Sequence, residues 1–209
     1  RGQLAAKLIL GNRPGFVTVS DRYAGYNHLV PEQRQVCWAH LLRDFERMAG
    51  RSGLGGRIGK RLLDYGCLMF RWRDQQKDTR HFAWRQKRIR LQLELASAQT
   101  ECTRTAKTCA NLLKVWPALW TFVHNPLVPP TNNAAERALR DYVIKRKLSY
   151  CTRSKRGMDF TERIFSTVQT CKMQTRVAYE FVYTAVHSWM AGTRAPCLVP
   201  EHIPLHHPA

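Results

Sequence analysis

The sequence has few acidic residues and no long apolar run. Asp and Glu account for 15 of its 209 residues against 34 Lys and Arg, which gives a formal net charge of +19 at pH 7. The absence of an apolar run of about 18 residues excludes a membrane-spanning helix. A content of 44% hydrophobic and 10% aromatic residues excludes a disordered chain. The cationic excess indicates a polyanionic partner, and nucleic acid is the first candidate.

The sequence also lacks a signal peptide and paired cysteines. It opens on Arg1 with no initiator Met and no order of charge, apolar block and cleavage site. Its seven cysteines are scattered and odd in number, which predicts reduced thiols in a cytoplasmic protein. Cys37 and His40 have a spacing open to two zinc ligands, but no second pair completes such a site.

Basic residues are concentrated in two stretches of the chain. Residues 41–90 hold fourteen Lys and Arg against five acids. Residues 137–156 hold eight cations against one acid, Asp141. Such a cluster favours phosphate contacts, and the alternatives are a solvated basic face or a charged protein partner. Aromatic residues lie among the charges here and upstream, where they either stack on bases or pack inward: Trp72, Trp84, Tyr142 and Tyr150.

The N-terminal quarter has the pattern of a parallel α/β unit. A helix is predicted over residues 3–10, and a short buried strand over 16–20. A helix or turn over 23–29 precedes a second strand over 34–38, and an amphipathic helix begins near His40. The order strand, helix, strand, helix favours a parallel sheet. Five glycines in residues 50–59 then predict a flexible joint.

The rest of the chain is predicted to be largely helical. Residues 58–120 have helical composition, although Ile89, Leu91, Leu93 and Leu95 alternate as in a strand. Three prolines exclude a helix over residues 125–130. Further helices are predicted from residue 134 to about Arg140, over 161–174 and over 176–191, with a basic loop over 149–159. A Pro- and His-rich tail over 193–209 predicts a loose terminus.

Two acids have positions suited to chemistry. Asp21 follows the first strand at its C-terminal end, where open α/β sheets bind ligands. Glu136 begins a helix and is followed by the basic cluster. Two carboxylates of this kind would share Mg²⁺ or Mn²⁺, which prefer carboxylate oxygen. The structural alternatives are a turn or helix cap for Asp21 and a capping box between Asn133 and Glu136.

Three blocks of the sequence resemble the insertion sequence 66 family of bacterial transposases. They read VSDRYAGYN at residues 19–27, QVCWAHLLRDF at 35–45 and PTNNAAERALR at 130–140. Arg146, Lys147, Ser154 and Gly157 are similar to the C-terminal region of that family. The resemblance extends from Arg1 to about Gly192, and its blocks are long and ordered.

The resemblance implies a ribonuclease-H-like core with an Asp-Asp-Glu triad that binds Mg²⁺ or Mn²⁺. Asp21 would be the second Asp and Glu136 the Glu, so both would be catalytic residues and metal ligands. His40 and Arg43 would be supporting residues, with a core or capping role as the alternative for His40. DNA contacts would come from the cluster formed by Arg137, Arg140, Arg146, Lys147 and Arg153.

The resemblance leaves one carboxylate unaccounted for. The first Asp of the triad should lie upstream, yet residues 1–20 contain neither Asp nor Glu. We therefore expect a truncated transposase, which leaves open whether this chain alone is an enzyme. Its function would be DNA strand cleavage and strand transfer during transposition of a mobile element. The alternative is a non-catalytic nucleic-acid-binding remnant.

The expected architecture follows from this reading. The fold class is α/β, mostly helical, with an incomplete core of two short parallel strands and a large helical insertion. The domains would be a partial core over 1–50, the insertion over 51–125, a return to the core over 126–192 and the tail. Expected partners are DNA, the missing N-terminal part and other transposase subunits, without a membrane, near the bacterial nucleoid. An exposed sheet edge predicts marginal solubility.

Overall fold

The computed structural model describes residues 2–11, 15–75, 79–150 and 152–199. Within these residues the protein is mostly helical with two short parallel strands, which confirms the coarse fold class. No helix among them is long and apolar enough to cross a bilayer. The helices are α1 (Gly2–Leu10), α2 (Trp38–Ala49), α3 (Gly53–Asp74), α4 (Thr79–Ala98), α5 (Thr103–Lys114), α6 (Thr121–His124), α7 (Asn133–Leu148), α8 (Lys155–Met173) and α9 (Ala178–Met190).

The chain forms two compact units, Arg1–Ala134 and Ala135–Ala209. The first unit contains the sheet, in which β1 (Thr18–Ser20) pairs in parallel with β2 (Arg34–Val36). The parallel pair was predicted, but both strands are shorter than expected. Trp38 begins α2 instead of ending β2, and its N–H, which has no partner within the helix, donates to Pro130 O at 2.9 Å. Within the described ranges β1 has no strand on its other edge.

In the core of the first unit, α2 packs against α3 and against the segment around Trp120. Trp38 is fully buried, and its ring meets that of Trp120 edge-on at 5.1 Å. The indole Nε1 of Trp38 donates to Leu119 O at 2.6 Å. Gln35, also fully buried, accepts a hydrogen bond from Phe122 N at 2.8 Å. These bonds satisfy backbone groups that burial would otherwise leave unpaired, and they fix β2 to residues 119–122.

Residues 50–59 do not form the flexible joint that their glycines predicted. From Gly53 onward they begin α3, and Gly56 and Gly59 are buried where α3 crosses α2. A Cβ atom at Gly59 would lie 2.3 Å from Ala49 N and 2.5 Å from Met48 C. The glycines therefore allow two helix backbones to approach closely, at the usual helix-propensity cost of glycine.

Gly59→Ala is expected to destabilise the protein by about 2–3 kcal/mol, because the added methyl group must push two helix backbones apart. Urea unfolding followed by circular dichroism measures this change. Gly50→Ala is the matched control, since the nearest atom to its new Cβ is Glu46 O at 3.8 Å. Equal free energies of unfolding for the two variants would contradict the close approach of α2 and α3.

The alternating apolar residues of the segment 89–95 lie on a helix, as the composition of that segment predicted. In α4 the side chains of Ile89 and Leu93 are buried, whereas Leu91 and Leu95 are 51% and 61% exposed. The buried positions recur every three or four residues, which is the spacing of one helix face. The strand-like alternation therefore divides apolar residues between a core face and a solvent face.

The second unit is helical over its described residues. Helix α7 continues to Leu148, eight residues beyond the predicted end. The predicted loop over 149–159 is wrong in its second half, because α8 begins at Lys155 and the Ser154 hydroxyl accepts the Gly157 N–H at 3.1 Å. Helix α9 lies within the predicted range 176–191, and its residue Trp189 is 79% accessible. Residues 200–209 of the predicted loose tail lie outside the described residues.

Candidate functional site

Asp21 follows β1 at its C-terminal end and is half-buried. Its Oδ1 accepts the N–H of Tyr23 at 3.0 Å, which closes a turn. The predicted turn role is therefore present and involves one carboxylate oxygen. Oδ2 makes no hydrogen bond to any residue that the structure describes. One oxygen of Asp21 thus orients the side chain, while the other remains available to a ligand.

Arg34 on β2 holds the backbone around Asp21. It is 2% exposed, and its guanidinium donates to Asp21 O at 2.9 Å and to Ser20 Oγ at 3.1 Å. It also donates to Tyr26 O at 3.3 Å and to Asn27 Oδ1 at 3.2 Å. Burial lowers the pKa of Arg34, whereas the nearby charge of Asp21 acts in the opposite direction. Arg34 is not among the site residues predicted from the sequence, although a charged residue within a buried strand signals a specific polar role.

An ion pair fixes the residue after Asp21. Arg22 forms an ion pair with Asp44 on α2, and Arg47 reaches the other oxygen of that carboxylate at 2.5 Å. Asp44 is only 12% exposed, so the contact is screened less than a surface pair. Arg34 and Arg22 together hold both sides of Asp21 within the first unit.

The segment that precedes α7 is held at the C-terminal end of β2. Pro130 O accepts the Trp38 N–H, and Asn132 N donates to Cys37 Sγ at 3.4 Å. The Oδ1 atom of Asn132 is buried without a hydrogen-bond partner within the described part of the chain. Residues 130–132 therefore lie at the carboxyl edge of the sheet, the edge that Asp21 follows on β1. Asn132, like Arg34, is not among the site residues predicted from the sequence.

Glu136 is exposed in the first turn of α7, at the start of the second unit. Because α7 begins at Asn133, Glu136 is its fourth residue, one position later than a capping box requires. Asp21 belongs to the first unit, so a shared cation between the two carboxylates stays a prediction.

The predicted DNA-binding cations of α7 do not share one face. At about 100° per residue, Arg140 and Lys147 lie on the same stripe as Glu136, while Arg146 lies about a quarter turn away. A different face of α7 packs on α8 through Tyr142 and Phe165, whose ring centres are 5.7 Å apart. The predicted cations are all exposed: Arg137, Arg140, Arg146, Lys147 and Arg153.

Other polar residues of the candidate site have structural contacts. Lys145 donates to Thr161 Oγ1 at 3.2 Å and lies 5.6 Å from the Phe165 ring centre, so it supports the packing of α7 on α8. His40 is half-buried on α2. Arg43 is exposed, and its Nε donates to Ala39 O at 3.3 Å. The supporting roles of His40 and Arg43 stay predictions.

The side-chain oxygens of Asp21 and Asn132 are of the type that a hard cation prefers, but the described residues do not form a complete metal site. Asp21 and Asn132 each present an unpartnered oxygen within the described residues, and oxygen is the ligand atom that Mg²⁺ prefers. No group of three or more His, Cys, Asp and Glu residues that could hold a metal occurs in ranges 2–11, 15–75, 79–150 and 152–199. Cys37 is buried and contacts Asn132 through its sulfur.

Comparison with protein families identifies the class of protein to which this basic, mostly helical chain belongs. The family model described as the transposase IS66 family matches residues 1–160. The chain therefore belongs to the IS66 family of transposases, which confirms the resemblance of the three sequence blocks. A search of curated proteins found no match. A search of solved structures also found none.

Proposed function

We propose that this transposase-family chain carries two of the three carboxylates that cleave and rejoin DNA strands. Asp21 and Glu136 are their positions, and a ribonuclease-H-like core is the fold to which β1 and β2 belong. The single observation that carries the proposal is the junction at the carboxyl edge of the sheet. Asp21 follows β1 there, and the segment leading to Glu136 is bonded there to Cys37 and Trp38.

The proposed metal is Mg²⁺ or Mn²⁺, held by Asp21 and Glu136. When bound, such an ion activates a water or a 3′-hydroxyl and stabilises the leaving oxygen in phosphoryl transfer. The chain itself orients Asp21 through the Tyr23 N–H and the Arg34 guanidinium. Orientation before binding matters because effective phosphoryl transfer requires the reacting groups to be positioned closely.

DNA backbone contacts are assigned to the exposed cations of α7 and the following segment. Arg140 and Lys147 share the stripe of Glu136, so a phosphate backbone along this stripe would pass close to the carboxylate. Arg137, Arg146 and Arg153 broaden the positive surface around it. Such contacts supply affinity and register without reading sequence.

The remaining parts of the proposal follow from the family resemblance. An upstream segment supplies the first Asp, residues 51–125 form the insertion, and residues 126–192 return to the core. Other transposase subunits and the element ends are the partners, and a location at the bacterial nucleoid follows from DNA binding.

The test combines this chain with a separately expressed upstream segment of its reading frame and a duplex that carries the element ends. We expect the chain to bind the duplex. The logarithm of the affinity should fall with the logarithm of the salt concentration with a slope of several units. We also expect Mg²⁺-dependent nicking at the element ends. Binding without nicking would favour the alternative of a non-catalytic DNA-binding remnant, and the absence of both would contradict the proposal.

A further inference from the structure

Helix α4 carries a cationic and aromatic surface that the proposed catalytic residues do not use. Trp84 lies on this helix and is 50% exposed. No acid occurs in residues 79–93, and the first acid of the helix, Glu94, pairs with Arg90 at 2.9 Å. The same residues hold five cations: Arg80, Arg85, Lys87, Arg88 and Arg90. A large exposed ring therefore lies within a strongly positive segment.

Arg85 is buried against aromatic rings. It is 5% exposed, and its guanidinium carbon lies 4.8 Å from the Tyr65 ring centre and 4.9 Å from that of Trp72. The same carbon lies 4.8 Å from the Trp84 ring centre. Its Nε is buried without a hydrogen-bond partner among residues that the structure describes. Cation–π contacts therefore fix a positive charge against Trp84.

Arg88 contacts the same indole from a solvent-exposed position. Its guanidinium carbon lies 5.0 Å from the Trp84 ring centre. Trp84 is thus in contact with one buried and one exposed guanidinium. Nucleic-acid bases stack on the faces of indole rings and also on the planes of guanidinium groups. The exposed Arg88 can join such a stack or move aside to contact a phosphate.

We propose that Trp84 and Arg88 form a stacking site for an unpaired base of single-stranded DNA. The base would stack on the indole or the guanidinium, and neighbouring phosphates would meet Lys87 and Arg88. A duplex does not fit this site, because its bases are already stacked on one another. The inference rests on the proposed function only in requiring that the chain binds DNA.

The test compares two single strands of about 15 nucleotides, one an oligothymidylate and the other an abasic strand of equal length. Fluorescence anisotropy on the full chain gives both affinities. We expect the oligothymidylate to bind about tenfold more tightly than the abasic strand, because only its bases stack. Trp84→Leu should reduce this ratio to below about twofold and leave abasic and duplex affinity unchanged. Trp84→Phe should retain most of the ratio.

Trp189→Leu is the matched control, since this tryptophan is 79% exposed on α9 in the second unit. It should leave the ratio at its wild-type value. Arg88→Gln, at an exposed residue, is a second variant that keeps the test valid if Trp84→Leu unfolds. It should reduce the ratio of oligothymidylate to abasic affinity several-fold. It should also lower the slope of logarithmic affinity against logarithmic salt concentration by about 0.7.

The outcomes separate this inference from the proposed function. Normal duplex binding with an unchanged ratio in Trp84→Leu and Arg88→Gln would overturn the stacking site alone. An equal loss on oligothymidylate, abasic and duplex DNA would also overturn it, because a stacking site acts only through unpaired bases. A wild-type chain that binds neither single strands nor duplex would overturn the inference and the proposed function together.

Discussion

Asp21→Asn and Glu136→Gln are each expected to reduce Mg²⁺-dependent nicking of element ends by about 10³-fold or more, because each removes a charged metal ligand. Asp21→Asn should preserve the local fold, since the Asn side-chain oxygen can still accept the Tyr23 N–H. Glu136 is exposed on α7, so its amide should also be tolerated. Duplex affinity should be unchanged or slightly raised, because a negative charge near phosphate is removed.

Two further measurements separate loss of metal from loss of structure. Mg²⁺ should raise the melting temperature of the protein, and either variant should reduce that increase. Asp64→Asn and Glu46→Gln are matched controls, because both change an exposed acid elsewhere on the first unit. Wild-type nicking by Asp21→Asn and Glu136→Gln would refute the metal assignment.

Arg34→Met is expected to lower the free energy of unfolding by about 3 kcal/mol. The substitution leaves four acceptors without the guanidinium that now joins them, and two of these are the backbone oxygens of Asp21 and Tyr26. Ser20 is buried and the backbone oxygens of Asp21 and Tyr26 are partly buried, so leaving these acceptors unpaired costs more than the bonds themselves contribute. Denaturant unfolding of the purified chain gives the free-energy change.

The same substitution should also weaken catalysis through Asp21, beyond what lower stability explains. The rate of nicking, measured at temperatures where the variant stays folded, should fall. Hydrogen exchange at the backbone amides of residues 21–27 should accelerate. Arg34→Lys keeps the charge but cannot reach four acceptors at once, so its stability should be intermediate. Arg57→Met, at an exposed cation of α3, should change neither quantity. A stable Arg34→Met variant with slow exchange at residues 21–27 would refute the positioning role.

Much of the local structure follows from the sequence pattern. The apolar run before Asp21 and the run from Arg34 to Trp38 predicted the two strands, because buried parallel strands require such runs. Helical spacing predicted one apolar face of α2 from Leu41, Leu42, Phe45 and Met48; Leu42 is half-buried and the other three are buried. The order of these elements predicted the parallel pairing. These features depend on neighbours in sequence, so periodicity is sufficient to find them.

Other features depend on distant residues. The glycines of residues 50–59 predicted flexibility, whereas contact with Met48 and Ala49 makes Gly59 part of a helix crossing. Arg34 and Asn132 gained their importance through contacts 13 and 95 residues apart in sequence.

The sequence by itself determined the family, the positions of Asp21 and Glu136 in their motifs, the two strands and the cationic character of the chain. These properties reside in residue identity and short-range periodicity. Only the tertiary structure decided that Arg34 holds the backbone at Asp21 and that Arg85 is enclosed by aromatic rings. Burial creates these roles, because a polar group removed from water must find its partners among residues that are distant in sequence.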